Sequence, residues 1–209
     1  MKKDKKDHIL EVAEKLFSEL GYDATTTRQI AGQANVNMAM LNYYFGSKDG
    51  LYKAVLQNRI TGFRQTLLSI TGQPVSSRIK LDQAVDVYVD RVMENKGFHR
   101  LIQRELSLTQ RSEISDVLTE SIMINVNEIK RILNDGIEEG VFRQVDVEMT
   151  IATIFGTKYY VVNSVLIASR LLGKDLTDPQ VVQEELKPRL KRHLKDLLNA
   201  HLAKHDTQA

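Results

Sequence analysis

Apolar residues recur along this chain at helical spacing. Ile9, Val12, Ala13, Leu16, Phe17 and Leu20 follow the i, i+3, i+4, i+7 rule and predict a first helix with one apolar face. Gly21 ends it, because glycine accepts the left-handed conformation of a helix C-terminus. A second helix is predicted to open at Thr26, where Gln29 completes a capping box; Ile30, Ala31 and Ala34 form its inner face. Asn35 follows, a residue tolerated where a turn needs positive φ. Val36 plugs the gap between helices and Asn37 caps the third. In that helix Leu41 and Phe45 face inward, so Met38, Ala39 and Asn42 face the other way. Ser47 caps a fourth, longer helix through Leu51, Val55, Phe63 and Leu67, which ends before Thr71-Gly72-Gln73-Pro74.

Further helices are expected at residues 77–95, 98–108, 112–139, 147–172 and 179–203, punctuated by Gly97, Gly140, Gly173 and Asp178-Pro179. The last two carry the most apolar stripes, with Ile151, Ile154 and Val162 on one and Leu186, Leu190 and Leu194 on the other. Such stripes suit a four-helix interface between two copies and suit an intramolecular core equally well. Pro188 removes a backbone donor and is expected to kink or restart the final helix. No strand-like alternation competes with this spacing, so the expected fold class is all-α.

Two helices joined by a tight turn, with a third entered through a Ser-Lys step, are the layout of a helix-turn-helix reader of DNA. Charge placement agrees. Between Thr25 and Lys48 the only charged residues are Arg28 and Lys48, and carboxylates there would repel phosphate. The net charge of +2 is too small to announce a nucleic-acid partner by itself. Lys48 opposes the dipole of the helix it opens, which makes sense where an anion also arrives. Lys2, Lys3, Lys5 and Lys6 suit either a solvated tail or an arm grazing the DNA backbone.

Cysteine is absent, which excludes disulfides and thiolate metal sites, and no apolar run reaches the roughly 20 residues a bilayer needs. The cytoplasm is the expected compartment. No phosphate-cradling glycine loop, nucleophile elbow or paired metal motif occurs, so the chain is not expected to be an enzyme. His201 and His205 lie i, i+4 without acidic support; neither a metal site nor a cofactor is assigned.

Thr26-Thr27-Arg28-Gln29-Ile30-Ala31, Ala34-Asn35-Val36-Asn37, Leu41-Asn42-Tyr43-Tyr44-Phe45 and Ser47-Lys48-Asp49-Gly50-Leu51 resemble the tetracycline-repressor (TetR) family of bacterial transcription regulators, without a gap. The resemblance implies a three-helix DNA-binding domain at residues 1–50. A larger helical effector-binding and dimerisation domain would occupy 51–209. By position, Arg28, Met38, Ala39, Asn42 and Tyr43 would approach bases, and Thr27, Asn37, Tyr44 and Lys48 would hold phosphates. Asn35 stands where the family commonly has Gly, and Asn42 where it often has Tyr. The implied function is a transcriptional regulator, most often a repressor. It would bind a palindromic operator as a homodimer through its last two helices and be released by a small-molecule effector. The alternative is a DNA-binding member with no inducer, an architectural or division-linked factor. In the body, Phe63, Tyr88, Met93, Phe98, Gln103, Met123, Asn127, Phe155 and Tyr159 are the candidates to line an effector cavity, each also compatible with ordinary core.

Overall fold

The computed structural model describes residues 4–107 and 112–204; Lys2, Lys3, His205 and the expected helix end at Leu108 lie outside them. Every regular element among the described residues is helical. They are α1 (Lys5–Ala24), α2 (Thr27–Gln33), α3 (Met38–Phe45), α4 (Lys48–Thr71), α5 (Ser77–Glu94), α6 (Lys96–Leu106), α7 (Ser112–Glu138), α8 (Val147–Asn163), α9 (Val165–Leu172), a short α10 (Pro179–Val181), a π-helical turn (Val182–Leu186) and α11 (Lys187–Leu202).

The chain forms two compact units, one comprising Met1–Phe63 with Gly97–Ile122, the other Arg64–Lys96 with Met123–Ala209. The first is larger than the expected 1–50 domain. Leu51, Tyr52, Val55, Leu56 and Ile60 of α4, with Phe98 and Leu101 of α6, are buried in the same core as α1 to α3. The apolar face of α1 is thus buried in a core to which α4 contributes along with α2 and α3. A bidentate ion pair adds a polar tie, Arg59 Nε donating to both carboxylate oxygens of Glu14 at 2.8 and 2.9 Å.

Gly21 breaks α1 as expected, at φ 82°, although a last turn carries on to Ala24. The fully buried Thr25 closes this break by donating its hydroxyl to the Leu16 and Gly21 carbonyls at 3.2 and 2.7 Å. Gly50 serves close approach instead. A Cβ there would stand 2.1 Å from the Phe45 carbonyl oxygen, so only glycine lets α4 begin against the end of α3.

In the second unit, α5 and α11 are laced by Asp86 and Asp90 with Lys187, Lys191 and Lys195. Gly136 of α7 lies flush on the buried Phe142 ring, where a Cβ would come within 2.2 Å. Two sequence expectations need correction. The helix expected over 147–172 is two helices, bent by 98°. Ser164 leaves helical geometry at ψ 47°, and beside it the Asn163 amide donates to the Tyr159 carbonyl, a side-chain bond that competes with helix continuation. The helix expected over 179–203 is interrupted by the π-helical turn and restarts at Lys187, beside Pro188. The missing N–H of Pro188 thus falls directly after the π-helical turn, and right-handed helical φ/ψ at Leu186 and Lys187 carries the chain through. No single helix among the described residues is long and apolar enough to cross a membrane.

Candidate nucleic-acid interface

Local chemistry sets the α2–turn–α3 geometry. Thr26 Oγ1 accepts from the Gln29 backbone N–H at 3.2 Å, and Gln29 Oε1 accepts from the Thr26 N–H at 2.8 Å, which closes the capping box. Asn35 is the one described non-glycine residue with positive φ, at 51°. The turn is pinned where the Val36 N–H donates to the Ala31 carbonyl at 3.0 Å. Asn37 Oδ1 then accepts from the Met40 N–H at 2.8 Å and starts α3.

Leu41 and Phe45 bury the inner face of α3 against Ile30, Ala31 and Ala34 of the same core. The helix is thereby oriented with Met38, Ala39, Asn42 and Tyr43 exposed, Tyr43 to 85%. The Tyr43 and Tyr44 rings meet edge to face at 5.4 Å, which holds the half-buried Tyr44 beside its exposed neighbour. Arg28 is exposed on α2 and Thr27 half-buried beside it. Asn37 is exposed, and with Oδ1 spent on the cap its Nδ2 donors remain for a second partner.

Lys48 has a firmer setting than its sequence position implied. Its Nζ donates to the Asp23 carbonyl at 3.3 Å and lies 4.2 Å from the centroid of the Tyr22 ring. Tyr22 in turn donates its hydroxyl to Asp49 at 2.5 Å. Asp49 therefore takes the dipole-favoured place in the first turn of α4, and the ammonium is aimed by an aromatic face. Ser47 Oγ caps this helix by accepting from the Gly50 N–H at 3.0 Å.

The residues expected to line a cavity separate by exposure. In the first compact unit Phe98 is buried, and Phe63 and Gln103 are half-buried. In the second, Tyr88 and Met93 are buried and Phe155 half-buried, with the Tyr88 and Phe155 rings 5.5 Å apart. Burial pushes the Tyr88 phenol pKa well above its ordinary value, so the hydroxyl keeps its proton. Met123, Asn127 and Tyr159 depart from expectation by standing on the surface. On α7 the inward arc is set by Asn125, Ile129, Ile132 and Leu133, which turns Met123 and Asn127 outward; the buried amide is Asn125.

Sequence reasoning passed over two features of the second unit. Lys158 is half-buried on α8, and its signal was a lysine inside an apolar stripe. On α9, Leu166, Ile167 and Leu171 are exposed to 77, 60 and 71%. Beside them lies a cleft of about 400 Å³ lined by Tyr160, Val161, Leu171, Leu186 and Leu190. Thr157, Arg189 and His193 line it as well.

Comparison with known proteins supplies a family context. A family model described as "Bacterial regulatory proteins, tetR family" matches residues 9–55, and one described as "Tetracyclin repressor-like, C-terminal domain" matches 78–190. The probable HTH-type transcriptional regulator YttP of Bacillus subtilis is 32% identical over 104 residues, covering 50% of this chain and 49% of that protein. The HTH-type transcriptional repressor KstR2 of Rhodococcus jostii is 24% identical over 163 residues, covering 77% and 79%. The chain spans about half the length or less of several curated relatives it matches. Among solved structures, the transcriptional regulator FadR of Bacillus subtilis in complex with stearoyl-CoA superposes with a TM-score of 0.75 at 19% identity, over 94% of this chain and 99% of that one.

Proposed function

The chain belongs to the tetR family of bacterial regulatory proteins, and from that premise we propose that it binds a palindromic operator as a homodimer and is released by a small-molecule effector. The observation that carries this reading is the outward face of α3. Met38, Ala39, Asn42 and Tyr43 stand exposed on a helix whose other side is locked into the core. No carboxylate lies between Thr25 and Lys48. In this reading α3 enters the major groove and those four residues, with Arg28, meet base edges. Thr27, Asn37, Tyr44 and Lys48 hold the flanking phosphates. Two copies would place their α3 helices roughly 34–36 Å apart, one turn of B-DNA.

Dimerisation falls to the α8–α9 and α10–α11 segments, the last two of the sequence-predicted helices. The support is the exposed Leu166, Ile167 and Leu171 with the adjoining cleft, an apolar surface that a second copy would cover. The effector reading is supported by the apolar Tyr88–Phe155 seam and by the ligand named for the FadR neighbour. A ligand releases DNA only if it prefers one conformation of the dimer.

Selection of duplexes from a random pool, followed by footprinting, tests the proposal. Enrichment of an inverted repeat protected on two successive major grooves is the expected result. Failure to retain any duplex in dilute salt, or protection of a single half-site by a monomer, would overturn it.

A further inference from the structure

Arg100 and Arg104 stand exposed one turn apart on α6. Glu105, the one carboxylate of that helix, is buried and accepts the Tyr52 hydroxyl, so it does not offset them on the surface. Arg104 alone of the two reaches the end of α1. Its Nη2 stands 4.0 Å from the Asp23 carboxylate. Its guanidinium also lies over Gly21, where a Cβ would come within 3.4 Å of Nη1.

Three contacts fix where that point lies in the first compact unit. Glu14 pairs with Arg59, Phe17 packs on Tyr52, and Tyr22 donates to Asp49. Rising numbers on α1 meet falling numbers on α4, so the helices are antiparallel and the end of α1 is level with the first turn of α4. From Asp23 the chain passes through the buried Thr25 to Thr26, the cap of α2. Asp23 therefore lies between Lys48 and Thr27, two residues assigned above to phosphates. Its carbonyl accepts from Lys48 Nζ at 3.3 Å, so Arg104 brings a second cation to the residue that Lys48 already touches. All of these residues belong to the same compact unit as the outward face of α3.

We propose that Arg104 is a phosphate contact, supplied to the DNA-reading surface by α6 from outside the helix-turn-helix segment. At 4.0 Å its approach to Asp23 is too long for a hydrogen bond, and both side chains are exposed. Such a pair contributes little, so the guanidinium can turn to a phosphate at small cost. Its planar fork of donors matches phosphate geometry. The contact rests on the operator-binding reading above and adds to it a grip on the DNA backbone that carries no sequence information.

The test measures duplex affinity of the full chain across a series of salt concentrations, for the wild type, Arg104→Gln, Arg104→Lys and Arg100→Gln. Selected operator and mixed-sequence duplex are both used. Arg104→Gln is expected to weaken binding to both duplexes by a similar factor and to flatten the dependence of log affinity on log salt by about one unit, the value of one neutralised phosphate. Arg104→Lys is expected to keep the wild-type slope, because the charge remains. Arg100→Gln removes the same charge one turn away from α1 and is expected to leave the slope unchanged. A wild-type slope in Arg104→Gln overturns the proposal. So does an equal flattening in Arg100→Gln, which would reduce the effect to net charge, and so does a flattened slope in Arg104→Lys. A wild type that ignores every duplex in dilute salt overturns the operator reading itself, whereas a wild type that binds with a slope indifferent to Arg104 overturns this contact alone.

Discussion

The Tyr52 hydroxyl donates to Glu105 Oε2 at 3.0 Å, joining α4 to α6 across 53 residues of sequence inside the first compact unit. Tyr52 is fully buried and Glu105 nearly so, and the Tyr52 ring packs edge to face on Phe17 at 4.9 Å and on Tyr22 at 4.8 Å. The aromatic cluster that aims Lys48 thus continues to a buried carboxylate on α6. Tyr52→Phe keeps the ring and removes the donor. The expected loss is on the order of 1–3 kcal/mol of unfolding free energy, measured by urea titration, because a buried carboxylate loses a hydrogen bond. Unchanged stability would show that the other surroundings of Glu105 suffice.

Asn42 and Lys48 are expected to fail in different ways. Asn42→Ala should cost about 1–3 kcal/mol on the selected operator and much less on random duplex, as for a side chain that reads a base edge. Lys48→Ala should weaken binding to every sequence and flatten the dependence of log affinity on log salt by about one unit. Mobility-shift titrations at several salt concentrations separate the two. Equal loss for Asn42→Ala on both duplexes would move Asn42 to the phosphate contacts.

Gly136→Ala reverses an ordinary rule. In a helix interior alanine usually stabilises relative to glycine by roughly 0.5–1 kcal/mol. Here the added methyl would meet the Phe142 ring at 2.2 Å, with Ser77 Cβ also within 3.0 Å. The expected outcome is a net loss of about 1–3 kcal/mol from overpacking, seen as a lower Tm. Phe142→Leu in that background should recover part of it. A Tm equal to or above wild type would show that the ring moves away freely.

Asp90 supplies a pH dependence. Burial pushes its carboxyl upward, but hydrogen bonds and charge from Lys187 and Lys191 outweigh that and hold it below the usual aspartate value. A carboxylate depressed in the folded state contributes stability above its unfolded pKa and loses it as pH falls through the folded value. Asp90→Asn should therefore lower the Tm near neutral pH. The gap from wild type should close in acid, as pH drops below the ordinary aspartate range. A gap that stays constant with pH would mean the loss comes from packing.

The α2–turn–α3 unit was legible because its determinants are local. Thr26 with Gln29, Asn35, and Asn37 each act within four residues, and the structure places each in the role its chemistry predicts. The break at Gly21 and the restart beside Pro188 are local for the same reason. The 98° bend at Ser164 was not legible, since the apolar stripe runs through it with no proline or glycine to announce a turn. Asn127, a cavity candidate by sequence, is exposed while Asn125 is buried, because two residues of helix rotate a side chain by more than half a turn and only packing sets the phase.

Sequence alone determined the helical class, the caps and turns, and the absence of carboxylates from α3, because these follow from composition, hydrogen-bond reach and periodicity over a few residues. Tertiary structure decided that α4 and α6 share the core of the helix-turn-helix unit and that Lys48 rests on Tyr22. Burial and electrostatic environment depend on what arrives from distant parts of the chain, and side-chain spacing carries no record of that.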